Sequence, residues 1–346
     1  MNNPYMVCAR CFTFNQASYI EDTLNGFSMQ RTNFPFVCVI VDDASTDGEQ
    51  NVIMKYVEDH FALKDETTIR NEETDDYVML YAQHANNKNC YFAVYLLKYN
   101  HYSIKKSKIG YLTEWIDTSK YYALCEGDDY WIDPYKLQKQ VEIFANDDNV
   151  GLCYTYSRLF IQSENCYKEE IIGVGGPCDF ESLLLNEPQM TLTSLFRLDL
   201  YRSYHEEIAP NMKDWLMGDT PLWLYLSIHS KVVLLDQVTA VYRFLPESAS
   251  HSRNIEKKLM FNKSALDIRL FFCEKYDKSR TDLVNSIYDV YYRSNMQDTY
   301  SQLLFGLFWK NLIKVKNKNC NDYILLAKLI IKKSFVFNKK KKYDTI

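Results

Sequence analysis

Phe36-Val37-Cys38-Val39-Ile40-Val41-Asp42-Asp43-Ala44-Ser45-Thr46-Asp47 is a continuous apolar run that stops abruptly at two adjacent carboxylates. A run apolar at every position, with no alternation, is the pattern of a strand covered on both faces, as in a parallel sheet. Thr46-x-x-Glu49 follows as a capping box, and Val52, Ile53, Tyr56 and Val57 continue at helical spacing. Upstream, Met6-Val7-Cys8-Ala9 is a second short apolar run, and Ser18-x-x-Glu21 opens a helix carrying Ile20, Leu24 and Phe27 on one face. The order strand, helix, strand, helix predicts parallel pairing through right-handed crossovers.

The remaining segments are read by the same rules. Residues 64–76 are polar and acidic and read as a surface loop. Segment 90–120 carries two weaker helical patterns, Phe92, Leu96 and Tyr99, then Leu112, Trp115 and Ile116. Tyr121-Tyr122-Ala123-Leu124 reads as a strand, Asp133-Pro134 as the cap and first residue of a helix, and 151–160 as a further strand. From about residue 253 the pattern is helical. No stretch of about 18 apolar residues predicts a membrane span.

Composition excludes some functions. Residues 301–346 hold 11 Lys and 2 Asp, a net charge of +9, so within the total of −5 residues 1–300 carry −14. A body that acidic is not a nucleic-acid binder. The ten cysteines form no framework, and Cys8 and Cys11, three apart on a strand, point to opposite faces, which argues against a redox or zinc pair. Free thiols and a start interrupted by Pro4 and Arg10 predict a cytoplasmic protein.

Ligands of a parallel α/β sheet sit beyond the carboxyl ends of its strands. Three polar clusters fall there: Thr13-Phe14-Asn15, Asp42 to Asp47, and Cys125-Glu126-Gly127-Asp128-Asp129-Tyr130-Trp131. Asn15 and Ser45 also suit helix capping. Three carboxylates in four residues repel one another, which a hard divalent cation relieves; the rival reading is a solvated acidic turn.

These segments resemble the family 2 glycosyltransferases of the GT-A fold. Cys11 to Ile20 is similar to the family's first-strand segment, Val39 to Asp47 to its Val-Asp-Asp-Gly-Ser-Thr-Asp stretch, and Glu126-Gly127-Asp128-Asp129 stands at its metal motif. The resemblance covers roughly residues 5–250. It implies an α/β fold, Rossmann-like, with a mixed, mainly parallel sheet flanked by helices, and here a helical C-terminal extension. The domain would span 1–252, with a nucleotide-sugar half (1–150) and an acceptor half (151–252), followed by helices and a basic tail over 253–346. Phe12, Thr13, Asn15, Asp42, Asp43 and Asp128 would bind the nucleotide sugar. Asp129, with Asp128 and His251, would hold Mg²⁺ or Mn²⁺.

Asp219, in Gly218-Asp219-Thr220-Pro221, would be the general base, with Asp214 as the alternative and helix capping as the plain reading of Asp219. The implied reaction is inverting transfer from a nucleotide-diphosphate donor, with a UDP-sugar expected, to a glycan or lipid-linked hydroxyl in surface-polysaccharide synthesis. Two departures stand out: Glu126 replaces the usual Asp, and 83–120 lacks the family's Gly/Arg/Asn-rich segment. A nucleotidyltransferase would need a basic Gly-rich loop after the first strand, which 11–20 lacks. A non-catalytic sugar-nucleotide or glycan binder on the same fold is the other rival. The Lys-rich tail reads either as a solvated helical cap or as a contact with the inner face of an anionic membrane.

Overall fold

The computed structural model describes residues 4–64, 69–173, 178–186, 191–245 and 254–343. His251 lies outside them. In chain order the elements are β1 (Tyr5–Thr13), α1 (Ile20–Ser28), β2 (Phe36–Asp42), α2 (Glu49–His60), β3 (Arg70–Glu73), β4 (Tyr77–Gln83) and β5 (Cys90–Leu97). Then come α3 (Thr113–Asp117), β6 (Ser119–Leu124), β7 (Tyr130–Trp131), α4 (Lys136–Asn146), β8 (Val150–Ile161), β9 (Cys166–Ile172) and α5 (Phe180–Leu185). The chain continues with β10 (Leu195–Arg197), α6 (Leu198–Ile208), α7 (Asp219–His229), β11 (Lys231–Phe244), α8 (Ile255–Lys275), α9 (Thr281–Ser301), α10 (Phe305–Leu312) and α11 (Cys320–Tyr343).

The chain divides into two compact units. The first comprises residues 1–179, 188–208 and 226–244; the second comprises 180–187, 209–225 and 245–346. The first unit holds one sheet in the order β3-β4-β5-β2-β1-β6-β10-β8-β11-β7, with β9 paired to β8. The four strands β5, β2, β1 and β6 run parallel, and the pairing of β1 with β2 is the one that the strand–helix–strand order predicts. β10 is antiparallel to both β6 and β8, and β11 runs parallel to β8. β2 is buried at all seven positions, the reason its sequence shows no polar alternation. Ile20, Leu24 and Phe27 of α1 and Leu137, Val141 and Phe144 of α4 pack in the same core as β1 and β2. The second unit has its own cluster around Met296, Phe308, Leu312, Val315 and Leu329.

Local expectations fail where burial overrides a pattern. The spacing of Phe92 and Leu96 predicts helix, yet 90–97 is strand β5, buried at six of its eight positions. A strand covered on both faces has no period to distinguish it from a helix. Within the stretch expected to be a loop, Arg70–Glu73 forms an exposed edge strand on β4. Neither capping box acts as a cap. Helix α1 begins at Ile20 and α2 at Glu49, and their N-cap residues, Tyr19 and Gly48, make no side-chain cap bond. α4 begins at Lys136, two residues after Pro134, although Asp133 still accepts from the Tyr135 amide at 2.9 Å. No disulfide joins any of the ten cysteines, and Cys8 and Cys11 are both buried.

Candidate active site

The register of the parallel strands fixes where the polar clusters meet. Thr13 pairs with Asp42, Asp42 with Leu96, and Arg10 with Leu124. The loops after β1, β2, β5 and β6 therefore leave the sheet along one edge, and hydrogen bonds tie them together there.

The first two loops interlock through Glu49. This buried carboxylate accepts from the Thr13 hydroxyl, from the Gln16 amide at 2.8 Å and from the Ser45 hydroxyl at 2.8 Å. Burial pushes its pKa above the ordinary carboxylate value, against the lowering effect of those donors. Asn15, in the left-handed region at φ 55°, receives a bond to its amide oxygen from the Thr46 amide at 2.8 Å, and its own amide donates to Ser45 at 2.8 Å. Left-handed backbone is accessible to Asn at low cost, so this side chain is suited to the turn.

Asp42 and Asp43 divide their work. Asp42 is fully buried; its Oδ1 accepts from the Ser45 amide at 3.0 Å and from Gln50 at 2.6 Å. Asp43 faces the loop after β5. Its Oδ1 accepts from the His101 amide at 2.6 Å, and its Oδ2 from the Tyr102 amide at 3.1 Å and Lys108 at 2.7 Å. Burial would raise its pKa, but these donors and the Lys108 charge outweigh that and hold it below the ordinary value. Segment 83–120, lacking the family's pattern, thus reaches this edge through the His101 and Tyr102 amides and the Lys108 side chain. Lys108 also lies 5.2 Å from the centre of the Phe12 ring.

The acidic turn is built onto β1 and α1. Glu126 is ion-paired with Arg10 and accepts from the Phe12 amide at 3.0 Å, so its longer side chain reaches back along β1 and pins the turn. Gly127 donates to the Phe12 carbonyl at 3.2 Å, and Thr23 donates to the carbonyls of Gly127 at 3.1 Å and Asp129 at 2.6 Å. A Cβ at Gly127 would lie 2.5 Å from Gln16 Oε1 and 2.7 Å from Thr13 Cβ, and closer still to the Thr13 hydroxyl. Only glycine permits that approach, which brings the turn against the first loop.

Asp128 and Asp129 sit at the head of the turn. Asp129 is 6% exposed, and burial, then the neighbouring Asp128 charge, push its pKa well above the ordinary value. Burial and then Glu126 raise Asp128, while Arg243 and a hydrogen bond with Gln16 oppose the rise. Arg243, near the end of β11, is the local counter-charge. Its amide donates to Asp129 Oδ1 at 2.8 Å, its Nε to the Asp128 carbonyl at 2.8 Å, its Nη1 to Gln162 at 2.6 Å and its Nη2 to Asp22 at 2.6 Å. The guanidinium lies about 5 Å from the rings of Tyr19 and Tyr130, at 4.9 and 5.1 Å.

Two crowded carboxylates fit a small, hard cation that keeps most of its waters or takes phosphate oxygens. Glu126 is committed to Arg10 and Phe12, and among the described residues no group of three or more His, Cys, Asp or Glu could hold a metal. Asp219 is the first residue of α7, and its carboxylate accepts from the Thr220 amide at 2.9 Å. It belongs to the second unit, as does the exposed Asp214. Reading the sequence did not assign Arg10, Gln16, Glu49, Lys108 or Arg243. A charged residue inside an otherwise apolar strand, as at Arg10, was the one signal that could have found any of them.

No known family model matches the chain. The mannosyltransferase PcManGT from Pyrobaculum calidifontis, solved in complex with GDP-Man and Mn²⁺, covers 95% of this chain with 81% of its own at a TM-score of 0.50 and 14% identity. The fold is shared with that protein. It is the mixed α/β fold with a mainly parallel central sheet flanked by helices that the sequence predicts. TarS of S. aureus in complex with UDP aligns over 90% of this chain and 88% of its own, at a TM-score of 0.44 and 13% identity. In sequence, uncharacterised proteins of Mycobacterium tuberculosis and Mycobacterium bovis are 27% identical over 250 residues. That is 71% of this chain, which spans 61% of the length of these curated relatives.

Proposed function

We propose that the chain is a glycosyltransferase that moves a sugar from a nucleotide-diphosphate donor to a hydroxyl acceptor with inversion. The observation that carries this is the interlocking of four loops at one sheet edge, with Gly127 seated against Thr13 and Gln16 at the root of the turn that bears Asp128 and Asp129. The fold shared with PcManGT, which was solved with GDP-Man and Mn²⁺, supports the same reading. Phe12, Asn15 and Asp43 would line the nucleotide side; Asp42 would shape the loop that carries Asp43. Asp128 and Asp129 would hold Mg²⁺ or Mn²⁺, which, when bound, neutralises their mutual repulsion and offsets charge on the departing diphosphate. His251 would be a further ligand.

The acceptor hydroxyl is a weak nucleophile at neutral pH, and a positioned base contributes roughly 10²–10⁴ in rate. Asp219 is assigned that role: its carboxylate would take the hydroxyl proton as oxygen attacks the anomeric carbon opposite the leaving group. The division of labour would place donor binding in residues 1–150 and acceptor binding in 151–252. A UDP-sugar donor, a glycan or lipid-linked acceptor, and a cytoplasmic setting in polysaccharide synthesis complete the reading.

The test is a thermal-shift screen of nucleoside diphosphates with and without Mn²⁺, followed by donor turnover. One base should raise the melting temperature in a metal-dependent way, because binding stabilises by mass action. Asp129→Ala should remove both shift and turnover, whereas Asp219→Ala should keep the shift and lose turnover. No metal-dependent shift with any nucleotide would overturn the donor site. Binding without turnover in every acceptor mixture would favour a non-catalytic binder.

A further inference from the structure

The last helices of the second unit present apolar side chains outward in a pattern their own core does not use. Along α11 the inward positions are Asp322, Leu325, Leu326 and Leu329, spaced as one helical face, and Leu325, Leu326 and Leu329 pack with Phe308 and Leu312 of α10. At 100° per residue, Tyr323, Ile324, Ile330 and Ile331 fall on a separate arc. Their exposures are 54%, 49%, 48% and 56%. On α10 and its C-cap the same division recurs: Phe308 and Leu312 are buried, while Trp309 is 46% exposed and the C-cap Ile313, four residues on, 57%. Single exposed apolar residues need no explanation, but a second apolar face on a helix whose first is already packed does.

Charge says what covers it. Residues 301–346 contain 11 Lys, no Arg, no Glu and 2 Asp. One of those acids, Asp322, is buried and bound by Arg293 Nε at 3.0 Å, so it offers no outward negative charge. Lys328 falls next to the apolar arc on the helix, and Lys310 and Lys314 flank Ile313 and Trp309 in sequence. A second copy meeting this face with its own like face would bring the same positive charge against it. An anionic bilayer answers both features, taking aliphatic and Trp side chains into its interface and lysines at its headgroups. No helix among the described residues is long and apolar enough to cross a membrane, so the helix would lie on the surface.

We infer that the outward arc of α11, with Trp309 and Ile313, is a docking surface for an anionic lipid bilayer. The inference is independent of the sugar-transfer reading, and its test reads binding alone. The full chain is co-sedimented with vesicles of phosphatidylcholine, and with vesicles of phosphatidylcholine mixed with phosphatidylglycerol. Binding is expected only to the mixed vesicles. It should weaken at about 1 M salt, where the screening length falls to about 3 Å.

The double substitution Ile324→Asn with Ile331→Asn, both exposed, should lower vesicle affinity at least tenfold with an unchanged melting temperature. Trp309→Ser should weaken it independently. Absence of binding to the mixed vesicles overturns the inference. So does binding that both variants leave intact, which would assign it to the lysines alone. Lipid-free dimerisation in sedimentation velocity that the double variant abolishes would also overturn it, by making a second copy the occupant.

Discussion

Replacing Gly127 with alanine tests whether the acidic turn truly rests on the first loop. The added methyl would sit 2.5 Å from Gln16 Oε1 and 2.7 Å from Thr13 Cβ. Thr13 cannot swing aside: it is buried, β-branched, and bonded to Gln16 at 2.7 Å and to Glu49. Nor can the turn retreat freely, because Gly127 bonds Phe12 through its amide and Thr23 through its carbonyl. Overpacking costs about 1–3 kcal/mol, and losing one of those hydrogen bonds about 1 kcal/mol more. The expected destabilisation is about 2–4 kcal/mol, a fall in melting temperature of roughly 5–15 °C for a unit of this size.

Differential scanning fluorimetry measures the fall, and the same plate reads the nucleotide-dependent shift, which should be lost. Gly110→Ala, where a Cβ would meet nothing within 4 Å, is the control and should melt as the wild type does. A Gly127→Ala protein melting within about 1 °C of wild type, against the few degrees each kcal/mol commands, would refute the convergence of these loops.

Three other outcomes are expected. Arg243→Met strips Asp22, Gln162 and the Asp128 carbonyl of their donor while keeping an apolar stem. It should cost about 2–4 kcal/mol by denaturant titration, and Arg243→Lys should not restore it, since an ammonium cannot span the three directions. Glu126→Gln leaves the Arg10 guanidinium without its counter-charge and should destabilise by about 2–4 kcal/mol. Calorimetry should find its Mn²⁺ affinity unchanged; a tenfold loss would add Glu126 to the metal ligands.

Lys136 is fully buried, bonds Gln140 at 2.7 Å, and burial pushes its pKa down to about 8. Between that value and its ordinary one near 10.5 the unfolded chain holds the extra proton, so this group's contribution to stability rises with pH across that window. Lys136→Met should therefore be most favoured relative to wild type below pH about 8, with the difference shrinking toward pH about 10. A difference that does not change with pH across that window would show that folding leaves the lysine's pKa at its ordinary value.

Much of the parallel half of the sheet was legible in the chain. Phe36 to Val41 reads as a covered strand because the run is short, rich in β-branched residues and shows no polar alternation. The acids that end it, and those at 126–129, marked strand ends because carboxylates cannot continue a dry interior. Cys90 to Leu97 escaped for the same reason that Phe36 to Val41 was plain: burial on both faces removes the period, and a few residues at helical spacing then arise by chance. Long-range partners were invisible. Glu49 read as half of a capping box, but its acceptors are used by Thr13 and Gln16 across the loop, which one-dimensional spacing cannot show.

Glu126 stands at the metal motif in sequence, yet its partner is Arg10, 116 positions away. Lys108 and Arg243 reach the two acid pairs from 65 and 114 positions off in sequence. The sequence by itself determined that Phe36 to Val41 is a covered strand and where polar groups must gather, since those follow from local hydrophobic pattern. Only the tertiary structure decided which charge neutralises which, because ion pairs are chosen by distance in space, and the crossovers that set those distances leave no mark in local order.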